Sequence, residues 1–272
     1  MEIAGAAVGR RLSEGEVFGE AVEWDWPSNT GGRTVGYVSI DATGGYRVRR
    51  GSEAEGRMID VGLVFAPAVG GRDGCGFWPP GARHGLEEQM RRHAAQAGLE
   101  SAETWVGLTD GGRLDEFLRV YFPQAEVILG FYHAAEHLND LAKALHPGND
   151  GLAGEVAGHW CHQLKHEGGA AVLTVLEAVS LRGRKEATRE CHRQVTSYVR
   201  NNLFRTDYPR YRANGWLIGS GHIESACKGV IGLRMKGGGM RWGETGADAV
   251  GHLRALFKSK KGQWDACWAT AM

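Results

Sequence analysis

The stretch from Tyr37 to Gly45 reads YVSIDATGG. Residues Tyr37 to Ile40 predict a short, largely apolar strand, and an acid, Asp41, comes directly after it. Aspartate has a low strand propensity, and a buried carboxylate is costly unless it is paired or bound to a metal. The acid at the end of this strand is therefore a candidate functional residue.

The same combination occurs a second time in the chain. Residues Trp105–Thr109 predict a strand that ends at Asp110 and is followed by Gly111-Gly112. If this strand and the one before Asp41 are neighbours in a sheet, both carboxylates emerge at the same edge. The alternative is that the two aspartates only serve glycine-containing turns, where this residue type is common.

A third acid, Glu224, lies at the start of a predicted helix that comes after Gly219-Ser220-Gly221. Together with Asp41 and Asp110 it would supply hard oxygen ligands, which suit Mg²⁺ or Mn²⁺ better than zinc. Two such ions roughly 3.5–4 Å apart can activate an attacking oxygen and stabilise the leaving oxygen of a phosphodiester.

The order of predicted elements indicates a mixed sheet and an α/β fold. Three strands at Tyr37–Ile40, Tyr46–Arg50 and Met58–Ala66, with a turn at Gly44-Gly45, predict an antiparallel meander. Further strands at Thr104–Leu108 and Ala125–Leu129 alternate with helices, which favours parallel pairing. The predicted helices are Leu86–Ala97, Leu114–Tyr121 and Phe131–Leu145.

These patterns divide the chain into four regions. Residues 1–35 are a poorly patterned lead-in, 36–149 the first part of the core, 150–212 a helical insertion, and 213–272 the rest of the core. The last region contains a predicted helix from His222 to Lys236.

Composition and charge narrow the class of protein. The 272 residues carry 32 Lys and Arg against 32 Asp and Glu, yet Arg182 to Lys261 has 17 basic and 6 acidic residues. That local surplus predicts a basic surface for a polyanion, with solvated helix faces as the alternative. No signal peptide, membrane span or cysteine pair is evident, which predicts an intracellular protein without disulfides.

Several ordered blocks resemble one known family. These are YVSIDATG from Tyr37, LTDGG from Leu108, ILGFYHAAEHL from Ile128, IGSGHIESACK from Ile218, and then RMK and GMRW from Arg234 and Gly239. The sequence resembles the Kra-type insertion-sequence transposases of bacteria, within the Mutator-like superfamily of DDE transposases. The resemblance runs from about residue 37 to about residue 268.

The resemblance implies a ribonuclease H-like core with a helical insertion before the last acid. Asp41, Asp110 and Glu224 match the three catalytic acids of the family. His133 matches the histidine of an Asp-x-x-His element, whose aspartate is replaced here by Gly130. The implied activity is metal-dependent cleavage and strand transfer of double-stranded DNA with two Mg²⁺ or Mn²⁺ ions, by a homo-oligomer at the nucleoid in the bacterial cytoplasm.

The basic residues after the third acid are expected to meet DNA phosphates, because several can share one helical face and the turn after it. They are Lys228, Arg234, Lys236 and Arg241. A solvated surface helix is the alternative.

Two other functions stay open from the sequence. One is a metal-dependent nuclease of the same core that cuts without joining. The other is a truncated, catalytically inactive DNA-binding remnant, which Gly130 and the short lead-in without cysteine pairs suggest.

Overall fold

The structure is a computed structural model, and it describes most of the chain from Trp26 onward. The predicted lead-in up to residue 25 lies outside the described residues, and so does part of the predicted helix Leu86–Ala97. The chain divides into two compact units, one of residues 1–126 with 221–272 and one of residues 127–220. The described residues are 26–29, 31–50, 53–67, 75–77, 87, 90–91, 94–95, 97–259 and 263–271.

The first unit contains a mixed sheet, as the sequence predicts. Its strands are β1 (Val35–Arg50), β2 (Glu53–Phe65), β3 (Cys75–Phe77) and β4 (Thr104–Thr109). They lie in the order β3-β2-β1-β4, with β1 antiparallel to β2, β2 antiparallel to β3, and β1 parallel to β4. The α/β class is therefore confirmed.

The predicted turn at Gly44-Gly45 is wrong. β1 runs through both glycines as one strand of 16 residues, and its pairing with β2 only shifts register between Gly44 and Tyr46. A Cβ at Gly44 would lie 2.6 Å from the sulfur of the exposed Met58 on the paired strand, so a larger residue there would require that side chain to move. The third strand of the meander is instead β3.

The centre of the sheet is buried on both faces, because consecutive residues of the strands are inaccessible to solvent. Val38 of β1, Leu63 and Val64 of β2, and Val106 of β4 have no exposed surface. A strand buried on both faces has an apolar run in place of alternation. The buried centre makes the sheet a rigid scaffold for the side chains at its edges.

The first unit also contains helices, one of them directly after β4 and others in the part of the chain that follows the second unit. The helix predicted from His222 to Lys236 is confirmed as a helical stretch, although five of its residues form a wider π-helical turn. Two later helices were not predicted. The helices are Arg113–Tyr121, Gly221–Cys227, Leu233–Met235, Glu244–Lys258 and Gln263–Ala271, and the π-helical turn is Lys228–Gly232.

The second unit begins within strand β5 (Glu126–Leu129), at Val127, and is helical after that strand. It is longer than the predicted insertion, because it also contains the helix Phe131–Leu145, which has the predicted bounds. The buried Tyr208 hydroxyl donates to the Leu129 carbonyl over 2.9 Å. The other helices are Asp150–Glu167, Gly169–Glu177, Glu186–Asn201 and Tyr208–Ala213.

No helix among the described residues combines the length and apolar character that a membrane crossing requires.

Candidate active site

The parallel pairing of β1 with β4 brings two of the predicted acids to one edge of the sheet. Ser39 and Leu108 are the last residues in register, and the Ser39 hydroxyl donates to the Leu108 carbonyl over 2.7 Å. Asp41 and Asp110 each lie two residues beyond that pair. The strands before the two aspartates are therefore neighbours, which was the condition for both carboxylates to emerge at one edge.

Asp41 does not end its strand, which corrects the prediction. Its backbone is still paired with Val61 of β2, and β1 continues to Arg50. β4 ends at Thr109, as predicted, so Asp110 comes after a true strand end. Asp41 lies where β1 loses its parallel neighbour while it keeps its antiparallel one.

A tight turn holds Asp110 directly after β4. The Thr109 hydroxyl donates to the buried Asp115 carboxylate over 2.7 Å, and the same hydroxyl oxygen accepts from the Gly111 N–H over 2.7 Å. Gly111 and Gly112 have φ angles of 111° and 69°, which other residues rarely adopt. The half-buried Asp110 is therefore held on a well-defined backbone.

Asp41 lies in surroundings that disfavour its charge. It is half-buried, and its two carboxylate oxygens accept from the Ala42 N–H at 2.7 Å and from the Cys227 sulfur at 3.6 Å. Burial raises the pKa of Asp41, and the negative charges of Glu224 and Asp60 raise it further against these two hydrogen bonds. A bound cation would relieve such crowding of negative charge.

The helix Gly221–Cys227 brings the third acid within electrostatic range of Asp41. This helix packs on β1 and β2 through its buried residues Ile223, Ala226 and Cys227, while Glu224 is exposed. The ring of His222 also stacks on Phe65 of β2, with centroids 4.6 Å apart. Glu224 is thereby held within electrostatic reach of Asp41 at the surface.

Two residues near Asp41 were missed by the sequence analysis. Asp60 faces Ala42 across the antiparallel pair, and Cys227 donates to the Asp41 carboxylate. Burial raises the pKa of the Cys227 thiol, so the thiol stays neutral and able to donate. Only the register between β1 and β2 reveals Asp60, since no motif surrounds it in the sequence.

The donor chemistry of this edge fits a hard divalent ion. Asp41, Asp110 and Glu224 would be its ligands, all three carboxylates of the first compact unit. Within the described part of the chain, no three His, Cys, Asp or Glu side chains lie close enough together to form a preformed metal cage. Mg²⁺ is commonly held by one or two carboxylates with water and substrate phosphate, so an open edge suits it.

The four predicted DNA-contacting cations are all exposed and lie in the same unit as the acids. Lys236 donates to the Thr43 hydroxyl over 2.8 Å, which places its ammonium beside the segment of β1 that carries Asp41. The Arg234 guanidinium lies 5.3 Å from the centre of the Trp242 ring. Lys228 begins the π-helical turn, and Arg241 precedes Trp242.

Gly130 and His133 belong to the second compact unit. Gly130 is buried directly after β5, and the helix that carries His133 begins at the next residue. His133 lies 3.6 Å from the Glu136 carboxylate, and its ring is centred 5.0 Å from that of His137. That Gly130 and His133 lie near the three acids stays a prediction.

Comparison of the chain with models of known protein families finds no match, and comparison with curated proteins finds none. The resemblance to Kra-type transposases therefore still depends on the ordered sequence blocks alone.

Proposed function

We propose that this chain is the catalytic domain of a DDE transposase with a ribonuclease H-like core. The observation that carries the proposal is the joint placement of the acids. Asp41 and Asp110 lie equally far beyond the last register pair of two parallel strands, and Glu224 lies on a helix that packs on β1 and β2, where its charge helps to raise the pKa of Asp41.

The sheet topology supports the same core. Three antiparallel strands, a fourth strand parallel to the first, and a later helix that packs on β1 and β2 agree with the ribonuclease H-like arrangement that the resemblance implies. A predominantly helical unit also stands between the second and third acids along the chain, as that family requires.

The proposed chemistry needs three carboxylates and no covalent enzyme intermediate. Bound at Asp41, Asp110 and Glu224, Mg²⁺ or Mn²⁺ would activate the attacking oxygen and stabilise the leaving oxygen of a phosphodiester. The Ala42 N–H and the Cys227 thiol orient the Asp41 carboxylate through its two oxygens. The turn after β4 orients Asp110.

Exposed cations near this edge support DNA as the substrate. Lys236 lies beside the β1 segment that carries Asp41, and Lys228 lies four residues after Glu224, about one helical turn. Phosphate contacts of this kind position a duplex without reading its sequence. Double-stranded DNA at element ends and at a target, bound by a homo-oligomer, is the proposed partner.

Incubation of the protein with DNA and Mg²⁺ or Mn²⁺ tests the proposal. Duplexes that carry the terminal sequences of the encoding element serve as donors and a supercoiled plasmid as target. Asp110→Asn keeps the shape of the side chain but removes its charge, so cleavage and joining should disappear while DNA binding persists. Asp265→Asn, at an exposed position in the last helix, is the matched control and should behave like the parent. Equal activity of Asp110→Asn and the parent contradicts the assignment.

The same assay separates the two remaining functions. Cleavage without a strand-transfer product identifies a nuclease of the same core. Binding of DNA without metal-dependent turnover identifies an inactive remnant. The glycine at position 130, where the family has an aspartate, favours that alternative.

A further inference from the structure

The second compact unit is rich in histidine. Residues 127–220 contain seven of the 11 histidines of the chain, namely His133, His137, His146, His159, His162, His166 and His192. Two pairs within this set are four residues apart on one helix, a spacing that puts both rings on the same face. These pairs are His133 with His137, and His162 with His166.

The rings of the first pair have a spacing that suits a shared metal ion. Their centroids are 5.0 Å apart and their planes are inclined by 80°. With a metal–nitrogen bond of about 2.1 Å and a nitrogen about 1.1 Å from its ring centroid, two imidazoles on one ion have centroids roughly 4.5–5.2 Å apart. The centroid spacing of the first pair therefore already lies in the range of two imidazoles on one ion.

The surroundings of the first pair favour a cation. Glu136 lies 3.6 Å from the His133 ring nitrogen, and both Glu136 and Asp140 act electrostatically on His137. The Tyr198 ring lies against His137 with centroids 4.1 Å apart and restricts its orientation. Burial, and then the neighbouring His133, lower the pKa of His137, so its ring is neutral and retains a lone pair at neutral pH.

The second pair has the opposite surroundings. Its rings are stacked with a 25° inclination and centroids 4.3 Å apart, so the two ring planes, in which the nitrogen lone pairs lie, are nearly parallel and do not meet close to the rings. Arg212 lies 3.3 Å from the His166 ring nitrogen, and Lys165 also acts on His166. Positive charge at that distance opposes the binding of a metal cation.

We propose that His133 and His137 form a two-histidine site for a transition-metal ion such as Zn²⁺, Ni²⁺ or Cu²⁺. Since no three ligating side chains converge among the described residues, water completes the coordination, and Glu136 contributes its charge. Imidazole nitrogens prefer these ions to Mg²⁺, so the site is chemically distinct from the carboxylate edge of the first unit. It does not depend on the proposed transposase function.

Calorimetric titration of the full chain with Ni²⁺, after removal of bound metal by a chelator, tests this site. The parent should bind one ion that Mg²⁺ in excess does not displace. His133→Gln with His137→Gln should weaken this binding at least about tenfold. Mutation of residues that only hydrogen-bond to metal ligands already lowers metal affinity by that factor, so loss of the ligands themselves should lower it at least as much. His162→Gln with His166→Gln is the matched control and should bind as the parent does. Absent binding to the parent, or equal losses in the two double variants, overturns the proposal.

A second measurement uses the parent protein and needs no variant. Diethyl pyrocarbonate modifies neutral imidazoles, and peptide mass spectrometry locates the modified histidines. Ni²⁺ should protect His133 and His137 while leaving the modification of His162 and His166 unchanged. Protection of the second pair alone, or of neither pair, contradicts the assignment even if the double variant fails to fold.

Discussion

Acidification should destabilise the first compact unit through His252. This residue lies in the helix Glu244–Lys258 with 2% of its surface exposed, and its Nδ1 atom has no hydrogen-bond partner among the described residues. Burial lowers the pKa of His252 from an ordinary value of 6.5 to about 4. Folding therefore excludes a proton that the unfolded chain binds readily below pH 6.5.

The sign and size of the effect can be worked out from proton linkage. At pH 7.5 the imidazole is neutral in the folded and in the unfolded state, so proton binding by His252 does not yet lower the free energy of unfolding. As the pH falls from 6.5 towards 4, the unfolded state binds the proton and the folded state does not, which lowers the free energy of unfolding. Between pH 7.5 and pH 5 the loss is about 2 kcal/mol, at about 1.36 kcal/mol per pKa unit.

Urea unfolding followed by circular dichroism at both pH values measures this loss. His252→Leu removes the titrating group, so its stability should fall about 2 kcal/mol less than that of the parent between the two pH values. His222 has a pKa that burial lowers in the same direction, but it is present in both proteins. His159→Gln, at an exposed position, is the control and should match the parent. Equal pH-dependent losses in His252→Leu and the parent would refute the reasoning.

Three further predictions concern the proposed DNA site. Charge reversal of Lys228 and Arg234 should flatten the slope of log affinity against log salt by about 0.9 per lost phosphate contact, measured by fluorescence anisotropy, and unchanged slopes would place the DNA elsewhere. Gly130 has φ −57° and ψ 119°, which any residue adopts, so Gly130→Asp strains no backbone, but its buried carboxylate needs the bound metal to offset its desolvation. With metal present, Gly130→Asp should increase Mn²⁺-dependent cleavage by about tenfold if it recovers about 1.4 kcal/mol of transition-state stabilisation; a folded variant no faster than the parent contradicts this. Gly112→Ala should lower the free energy of unfolding in urea by about 1–3 kcal/mol and reduce cleavage, because the φ of 69° and ψ of −138° at this position are strained for other residues. Gly154→Ala, in an open helical position, is the control and should not destabilise the protein. Equal effects of the two changes would exclude a strained turn.

The sequence predicted those parts of the fold that local patterns determine. The strand before Asp110 has an apolar run and a glycine pair after it, and both of its ends were predicted to within a residue. The helix Phe131–Leu145 ends before Pro147-Gly148, a strong local stop signal. The helices after residue 150 were also predicted from local sequence, because that stretch is interrupted by glycines but contains no strand pattern.

The errors came from pairing between distant residues. Gly44-Gly45 is typical of a turn, but β1 continues through it because β2 pairs along nearly all of its length. For the same reason Asp41 lies within a strand, and Asp60 became part of the acidic site only through the register of that pair. A register between two strands depends on the whole sheet and not on the residues around one acid.

Manganese binding measured by electron paramagnetic resonance tests the central claim most directly, since it asks whether the acidic edge holds a divalent ion without requiring DNA. The parent should bind Mn²⁺, and the variant that combines Asp41→Asn, Asp110→Asn and Glu224→Gln should lose that binding while it remains folded by circular dichroism. The His162→Gln with His166→Gln variant, which changes two histidines of the helix Asp150–Glu167, should still bind Mn²⁺ at this edge. Undiminished Mn²⁺ binding by the folded triple variant would contradict the account.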